Sequence, residues 1–210
     1  FAPGPEALEK SLFALGDLLY HGHTYRTAVR HLEEALGRFP SNPEATRARY
    51  QLADSYRQLA AQAHQNSIIG EGMSTQTKEH WHGEHRRLLR NAAAEFQGLA
   101  EALKKPEAQG RLSPEQQAQV PFIAARCLFN CGEYAESLKL YEELVERYRG
   151  RREGLEALGG SVSCYAALGQ LEKMRASLAE IRNALPGLDP KLRASWEGWV
   201  KEASGKLTVP

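Results

Sequence analysis

Residues 12–40 read LFALGDLLYHGHTYRTAVRHLEEALGRFP, and this stretch decides the fold that the sequence predicts. Each half carries apolar residues three and four positions apart, which is the spacing of a helix that buries one face. Residues 21–24 interrupt the pattern, so we expect two short helices folded back as a hairpin. Gly16 and Ala28 are small, as a close approach of paired helices requires. Such a hairpin cannot bury its own apolar face, so it predicts stacked neighbours.

The same half-patterns recur along the chain. Leu12 and Ala28 open the two halves of the first copy and lie 16 residues apart. A second copy opens at Arg49, 37 residues after Leu12, but its second half opens at Ala92, behind an insertion at 60–86. The offset of 16 returns in two later pairs: Pro121 with Ser137, and Leu158 with Met174. This recurrence predicts one repeated unit rather than unrelated hairpins.

The pattern resembles the tetratricopeptide repeat (TPR), in which a large residue, Leu-Gly, an aromatic, Ala, an aromatic and a closing Pro follow in order. The resemblance implies an all-α, right-handed solenoid of about four stacked TPR-like hairpins with a C-terminal capping helix. We therefore expect nine helices and one domain over residues 1–210. The repeats are expected near 9–42, 46–104, 118–151 and 155–188, with the capping helix at 190–203. The closure at residues 39–43, FPSNP, is also similar to TPR lipoproteins of bacterial envelope assembly.

The composition restricts the class of partner. Lys plus Arg number 27 against 26 Asp plus Glu, so the chain lacks the basic excess of a nucleic-acid binder. It has no apolar run of about eighteen residues that could span a membrane. Because the sequence begins at Phe1 rather than Met, we expect a segment trimmed from a longer protein. A removed signal or anchor predicts a periplasmic or membrane-anchored protein, and otherwise a cytoplasmic one.

No catalytic motif is present. The sequence has no Gly-rich phosphate loop, nucleophile elbow or His-Glu-x-x-His motif, so we expect no enzymatic activity and no cofactor. We interpret the three cysteines as small core residues. No metal site is predicted. The alternative is a divalent-metal site at His82 and His85, which lie three residues apart on one face of a predicted helix.

The resemblance implies that a partner binds in a concave groove lined by the first helix of each repeat. In the family, the residue after the large opening residue, and those four and seven or eight farther on, face this groove. Carried onto this sequence, the groove residues are Phe13, Asp17, Tyr20, Tyr50, Asp54, Arg57, Phe122, Arg126 and Phe129. The fourth repeat has small residues at these positions, Gly159, Ser163 and Ala166, so we expect that end to be shallow.

Aromatic residues interleaved with aspartates predict an extended protein segment with apolar and basic side chains as the ligand. On this geometry we expect Phe13, Tyr50 and Phe122 to be partly exposed. Their neighbours two residues on, Leu15, Leu52 and Ala124, should be buried, because such residues point in nearly opposite directions. The alternative is that several of these aromatic residues belong to the core.

The insertion is predicted to be an elongated helical hairpin whose loop holds apolar residues. Its contact residues are Ile68, Ile69, Met73 and Trp81, which suggest a surface for a partner, for another copy, or for packing back on the same chain. The leading hypothesis is a non-catalytic scaffold that binds an extended protein segment in its groove. The alternative is a structural or assembly component that oligomerises or docks through residues 60–88.

Overall fold

The structure, a computed structural model, describes residues 5–69, 74–108 and 110–205. All regular structure in these ranges is helical, with no strand, so the predicted all-α fold with nine α-helices is confirmed. Short 3₁₀ turns lie at Pro106–Ala108 and Leu185–Gly187. The helices are α1 (Pro5–His21), α2 (Tyr25–Arg38), α3 (Ala45–Ile69), α4 (Thr75–Ala102), α5 (Pro114–Cys131), α6 (Tyr134–Arg147), α7 (Arg152–Ala167), α8 (Leu171–Ala184) and α9 (Pro190–Gly205).

The chain divides into two compact units, and Phe1–Gly132 is the first. Its helices pack in succession, α1 on α2, α2 on α3, α3 on α4 and α4 on α5, and α1 also contacts α3. α2 buries Ala28, Leu32 and Ala35 at the predicted spacing. A Cβ added to Gly16 would lie 2.5 Å from Leu32 Cδ2, so the close approach of α1 and α2 requires glycine at this position.

The insertion lengthens the second hairpin. α3 has 25 residues and α4 has 28, whereas α2 has only 14. Ser74 caps the start of α4 by accepting a hydrogen bond from the Thr77 backbone N–H at 3.2 Å. The insertion therefore extends two helices that pack along each other. At the start of α5, Ser113 and Gln116 form the reciprocal capping box that their spacing indicates.

The second unit is Glu133–Pro210. α6 packs on α7, α7 on α8 and α8 on α9, which is the position expected of a capping helix. Gly160 of α7 lies directly against the Tyr141 ring of α6, and a Cβ at this glycine would be 2.4 Å from Tyr141 Cε1. The same kind of small-residue contact thus pairs helices in both units.

The predicted burial of Leu15 is wrong, whereas that of Leu52 and Ala124 is confirmed. Leu15 is 39% exposed. α3 and α5 each pack on the helix that precedes them, and α1 has no preceding helix among the described residues. The side of the helix that is covered in the later repeats is therefore open on α1.

Candidate functional site

Three of the predicted groove residues meet around the carboxylate of Asp54. Asp54 accepts hydrogen bonds from the Tyr20 hydroxyl at 3.0 Å, and from Arg57 Nε and Nη2 at 2.8 and 2.6 Å. Gln58 donates a further hydrogen bond at 3.3 Å. Asp54 is only 6% exposed, so its charge is both buried and paired. This pairing matters because an unpaired buried carboxylate would be strongly destabilising.

Asp17 is the centre of a second set of contacts one turn before Tyr20. Its Oδ1 accepts a hydrogen bond from Gln51 Nε2 at 2.7 Å and lies 2.6 Å from Arg47 Nη2. These contacts join α1 to α3. Sequence reasoning did not identify Arg47 or Gln51 as site residues. Their spacing from Asp54 on one helix face, seven and three residues, was the signal that could have found them.

Tyr50 extends the site towards α4 and α5. It is half-buried, its ring packs edge-on against Phe96 with centroids 5.9 Å apart, and its side chain is hydrogen-bonded to Gln116 of α5. Burial and, after it, the charge of Asp54 raise the pKa values of both Tyr20 and Tyr50. Both phenols therefore stay protonated at neutral pH and can donate hydrogen bonds.

Arg57 remains charged despite partial burial. Burial disfavours the guanidinium cation, but the charge and hydrogen bonds of Asp54 outweigh it and raise the pKa of Arg57. The nearby Cys127 is buried, and desolvation raises the pKa of its thiol to about 12. Cys127 is thus a core thiol rather than a nucleophile. All three cysteines are buried and unbridged, as expected of small core residues.

A cavity of about 280 Å³ lies between α1 and α3 beside Asp17. Phe13 contributes to its wall although that residue is 7% exposed. Both basic and acidic residues line this cavity. The lining residues are Lys10, Phe13, Ala14, Asp17, Asn42, Glu44, Arg47, Ala48 and Gln51.

The expected partial exposure of Phe13 and Phe122 is wrong, whereas Tyr50 is half-exposed as expected. Phe122 is 2% exposed. The buried residues of α5 cover a wide arc of the helix, so Phe122 and Ala124, two positions apart, are both buried. α1 packs on both α2 and α3, which buries Phe13. Farther along α5, Arg126 is exposed and Phe129 is half-exposed. Arg126 forms no ion pair with any residue that the structure describes.

Two of the four predicted contact residues of the insertion, Ile68 and Trp81, are exposed or half-exposed. Ile68 is 65% exposed near the end of α3. Trp81 of α4 is half-exposed, and its ring lies 5.3 Å from that of His80. The side chain of Ile69 and the whole of Met73 lie outside the described residues.

The two histidines suggested as an alternative metal site, His82 and His85, lie in different environments. His82 is exposed, whereas His85 Nδ1 lies 2.8 Å from the Ala60 carbonyl oxygen. The His85 ring is 5.1 Å from that of His64, on the other arm of the hairpin. Within the described ranges, no group of three or more His, Cys, Asp or Glu residues could hold a metal ion.

The second unit has a cleft of about 440 Å³ between α7 and α9, where the sequence predicted a shallow surface. Its floor contains Gly159 and Ser163, and a Cβ at Gly159 would lie 3.0 Å from Trp196. Trp196 and Trp199 pack edge-to-face, with ring planes at 79°. Sequence reasoning assigned residues 190–203 to a capping helix and missed the cleft. The small residues opposite two tryptophans were the available signal.

Comparison with known proteins gives matches among solved structures only. No protein-family model and no curated protein matches the chain. Two crystal structures are similar to it: a protein assigned as a kinesin light chain with nearly identical TPR-like repeats, from Podosopora anserina, and a single-substitution variant of that protein. Each is 16% identical and aligns over 83% of this chain and 93% of the other, with TM-scores of 0.40 and 0.39.

With TM-scores below 0.5, the assignment of helical hairpins rests on the helix pairing within this chain. None of the described helices is both long and apolar enough to cross a membrane.

Proposed function

We propose that this chain is a non-catalytic scaffold that binds an extended segment of a partner protein along α1, α3 and α5 of the first unit. Stacked helical repeats generally mediate protein–protein interaction through extended surfaces. The observation that carries the proposal is a groove network of two sets of contacts between α1 and α3. In one set Tyr20 of α1 contacts Asp54 of α3, which also pairs with Arg57, and in the other Asp17 of α1 contacts Gln51 and Arg47 of α3. Repeat position alone selects four of these residues, Asp17, Tyr20, Asp54 and Arg57. A cavity lies beside Asp17.

The charges of this network favour a segment with acidic and apolar side chains. The expectation of basic side chains depended on Asp17 and Asp54 being available to a ligand. Asp54 is buried, and Arg57, which neutralises it, keeps 45% of its side chain exposed. Arg47 similarly keeps 46% exposed while paired with Asp17. Together with the unpaired Arg126, these guanidinium groups present N–H donors suited to carboxylates, and half-exposed tyrosines supply apolar contact.

Arg126 gives the sharpest test because it is exposed and its replacement breaks no ion pair in the described chain. Peptides would be selected from a random displayed library on the intact chain, and the dissociation constant of the best peptide measured by fluorescence anisotropy. We expect selected peptides to be acidic and apolar. Arg126→Glu should weaken binding at least about tenfold, or about 1.4 kcal/mol. Arg30→Glu is the matched control, since Arg30 is an exposed arginine of α2 without an ion pair in the described residues.

A preference for basic peptides, or equal binding by wild type and Arg126→Glu, would contradict the proposal. Circular dichroism of both variants should match that of the wild type, since neither arginine is buried.

Exposure of Ile68 supports the second candidate function, docking or self-association through the insertion. Sedimentation equilibrium of the intact chain over a range of concentrations tests self-association. If self-association occurs, Ile68→Ser should weaken it, whereas Leu171→Ser, at another exposed apolar residue, should leave it unchanged. A chain that remains monomeric at every concentration would exclude self-association through this surface.

A further inference from the structure

Trp196 and Trp199 of α9 form one wall of the cleft in the second unit, opposite the small residues of α7. They lie three residues apart and so share a face of their helix. Both are half-exposed, whereas the residues that α9 buries are the smaller Val200 and Ala203. The largest apolar side chains of α9 therefore line the cleft instead of filling the core. A cleft of about 440 Å³ with aromatic residues and a few polar side chains has the size and composition of a binding site.

Two exposed residues of α7, Arg152 and Glu156, bring opposite charges to this cleft. Within the described chain neither of them forms an ion pair, with the other or with a third residue. They lie four residues apart, which separates their backbone atoms by about 6 Å along the helix. In an extended polypeptide, every second residue points to the same side at intervals of about 6.6 Å, and the residue between points to the opposite side. The spacing of the two charges therefore matches that of an extended segment.

We propose that the cleft binds an extended segment of another protein in which an aromatic residue stands between an acidic and a basic residue. The acidic side chain pairs with Arg152 and the basic side chain with Glu156, both on α7. The aromatic side chain points the other way, towards α9, and its ring packs on Trp196 and Trp199. This site lies in the second unit and does not depend on the site proposed in the first.

Charge complementarity argues against this chain as the source of the segment. None of the Phe, Tyr and Trp residues in the sequence given has an acidic neighbour on one side and a basic neighbour on the other. A second copy of residues 1–210, or another part of the same residues, would therefore leave at least one charge of α7 without a partner. The segment that complements both charges belongs to a different protein.

The probes are two short peptides without tryptophan, Gly-Glu-Phe-Lys-Gly and Gly-Lys-Phe-Glu-Gly, blocked at both ends, which cover both chain directions along α7. Binding is followed at low ionic strength, where exposed ion pairs are least screened. The signal is the fluorescence of Trp196 and Trp199 in the Trp81→Phe chain, which contains no other tryptophan. We expect saturable binding of at least one peptide, and at least fivefold weaker binding when its Phe is replaced by Ala.

Charge reversal on α7 provides a pair of matched variants. Arg152→Glu leaves two acidic residues at the cleft, so it should weaken binding of the mixed-charge peptide at least fivefold and should prefer Gly-Lys-Phe-Lys-Gly. Glu156→Arg leaves two basic residues and should prefer Gly-Glu-Phe-Glu-Gly. The control is Lys139→Glu, at an exposed residue of α6 outside the cleft, which should leave the order of preference unchanged. An exchange of preference between two folded variants cannot arise from loss of structure.

Absence of saturable binding by both mixed-charge peptides, or the same order of preference in both charge-reversal variants, would overturn the proposal. Acrylamide quenching of the free chain gives a second criterion, because half-exposed tryptophans should be quenched. Shielding of the tryptophans at every chain concentration would show that the chain's own residues cover the cleft. Shielding that increases with chain concentration would show that a second copy covers it. Either result would overturn the assignment to another protein.

Discussion

Replacing Gly16 by alanine tests the close approach on which the first hairpin depends. An ideal Cβ at Gly16 lies 2.5 Å from Leu32 Cδ2 and 2.9 Å from Leu32 Cγ. Carbon atoms pack at about 3.5–4.0 Å, so Leu32 would have to move by about 1 Å. Leu32 is fully buried, and its neighbours cannot yield without strain.

Two opposing effects set the magnitude. Alanine in place of a helical glycine stabilises by about 0.5–1 kcal/mol, whereas overpacking a core costs about 1–3 kcal/mol. Because the contact involves Cγ as well as the end of the side chain, we expect the upper part of that cost. Gly16→Ala should therefore lower the free energy of unfolding by about 2 kcal/mol.

Gly98→Ala is the matched control, because a Cβ at this position of α4 meets nothing within 4 Å. It should stabilise the chain by about 0.5–1 kcal/mol through helix propensity alone. The measurement is urea denaturation followed by circular dichroism, which compares the midpoints and slopes of the two variants. A Gly16→Ala chain as stable as Gly98→Ala would refute the helix contact described here.

Three further predictions concern buried groups. Cys127, whose thiol pKa is raised to about 12 by burial, should resist alkylation near neutral pH in the folded chain and react once the chain is unfolded in urea. Phe122→Ala should lower the free energy of unfolding by about 3–5 kcal/mol in urea melts, because the ring is buried. Burial and the Glu142 hydrogen bond raise the pKa of Tyr165 from 10.0 to about 12. The folded state holds the Tyr165 proton more tightly than the unfolded state does, so this stabilisation is fully present below pH 10 and is lost as the pH rises towards 12. The melting temperature should therefore fall between pH 10 and pH 12, and it should fall less in Tyr165→Phe.

Much of the fold could be predicted from spacing alone. The 16-residue offset indicates helix pairs, and the capping residues Ser113 and Gln116 indicate where α5 begins. Both features depend only on residues close together in the chain, so they can be recognised without knowing how the helices pack. The elongated second hairpin could be predicted for the same reason, because the insertion keeps helix-forming residues on both sides.

Burial was harder to predict because it depends on neighbours rather than on spacing. Leu15 and Leu52 occupy the same repeat position, yet one is exposed and the other is buried. Nothing in either residue separates them. The difference is that α3 packs on the preceding helix α2, whereas α1 has no preceding helix among the residues that the structure describes. Phe122 differs from expectation for a related reason, since α5 is covered over a wide arc.

The sign of the charge presented to a ligand also depends on residues outside the repeat pattern. The pattern alone selects Asp17 and Asp54 and predicts an acidic surface. Arg47 lies seven residues before Asp54 and pairs with Asp17 on the neighbouring helix. Asp54 is buried beneath its contacts with Tyr20 and Arg57. A buried, paired carboxylate attracts a ligand weakly, because its charge is already compensated, whereas a half-exposed guanidinium keeps donors facing water. The electrostatic preference of such a surface therefore follows from which member of each ion pair is exposed.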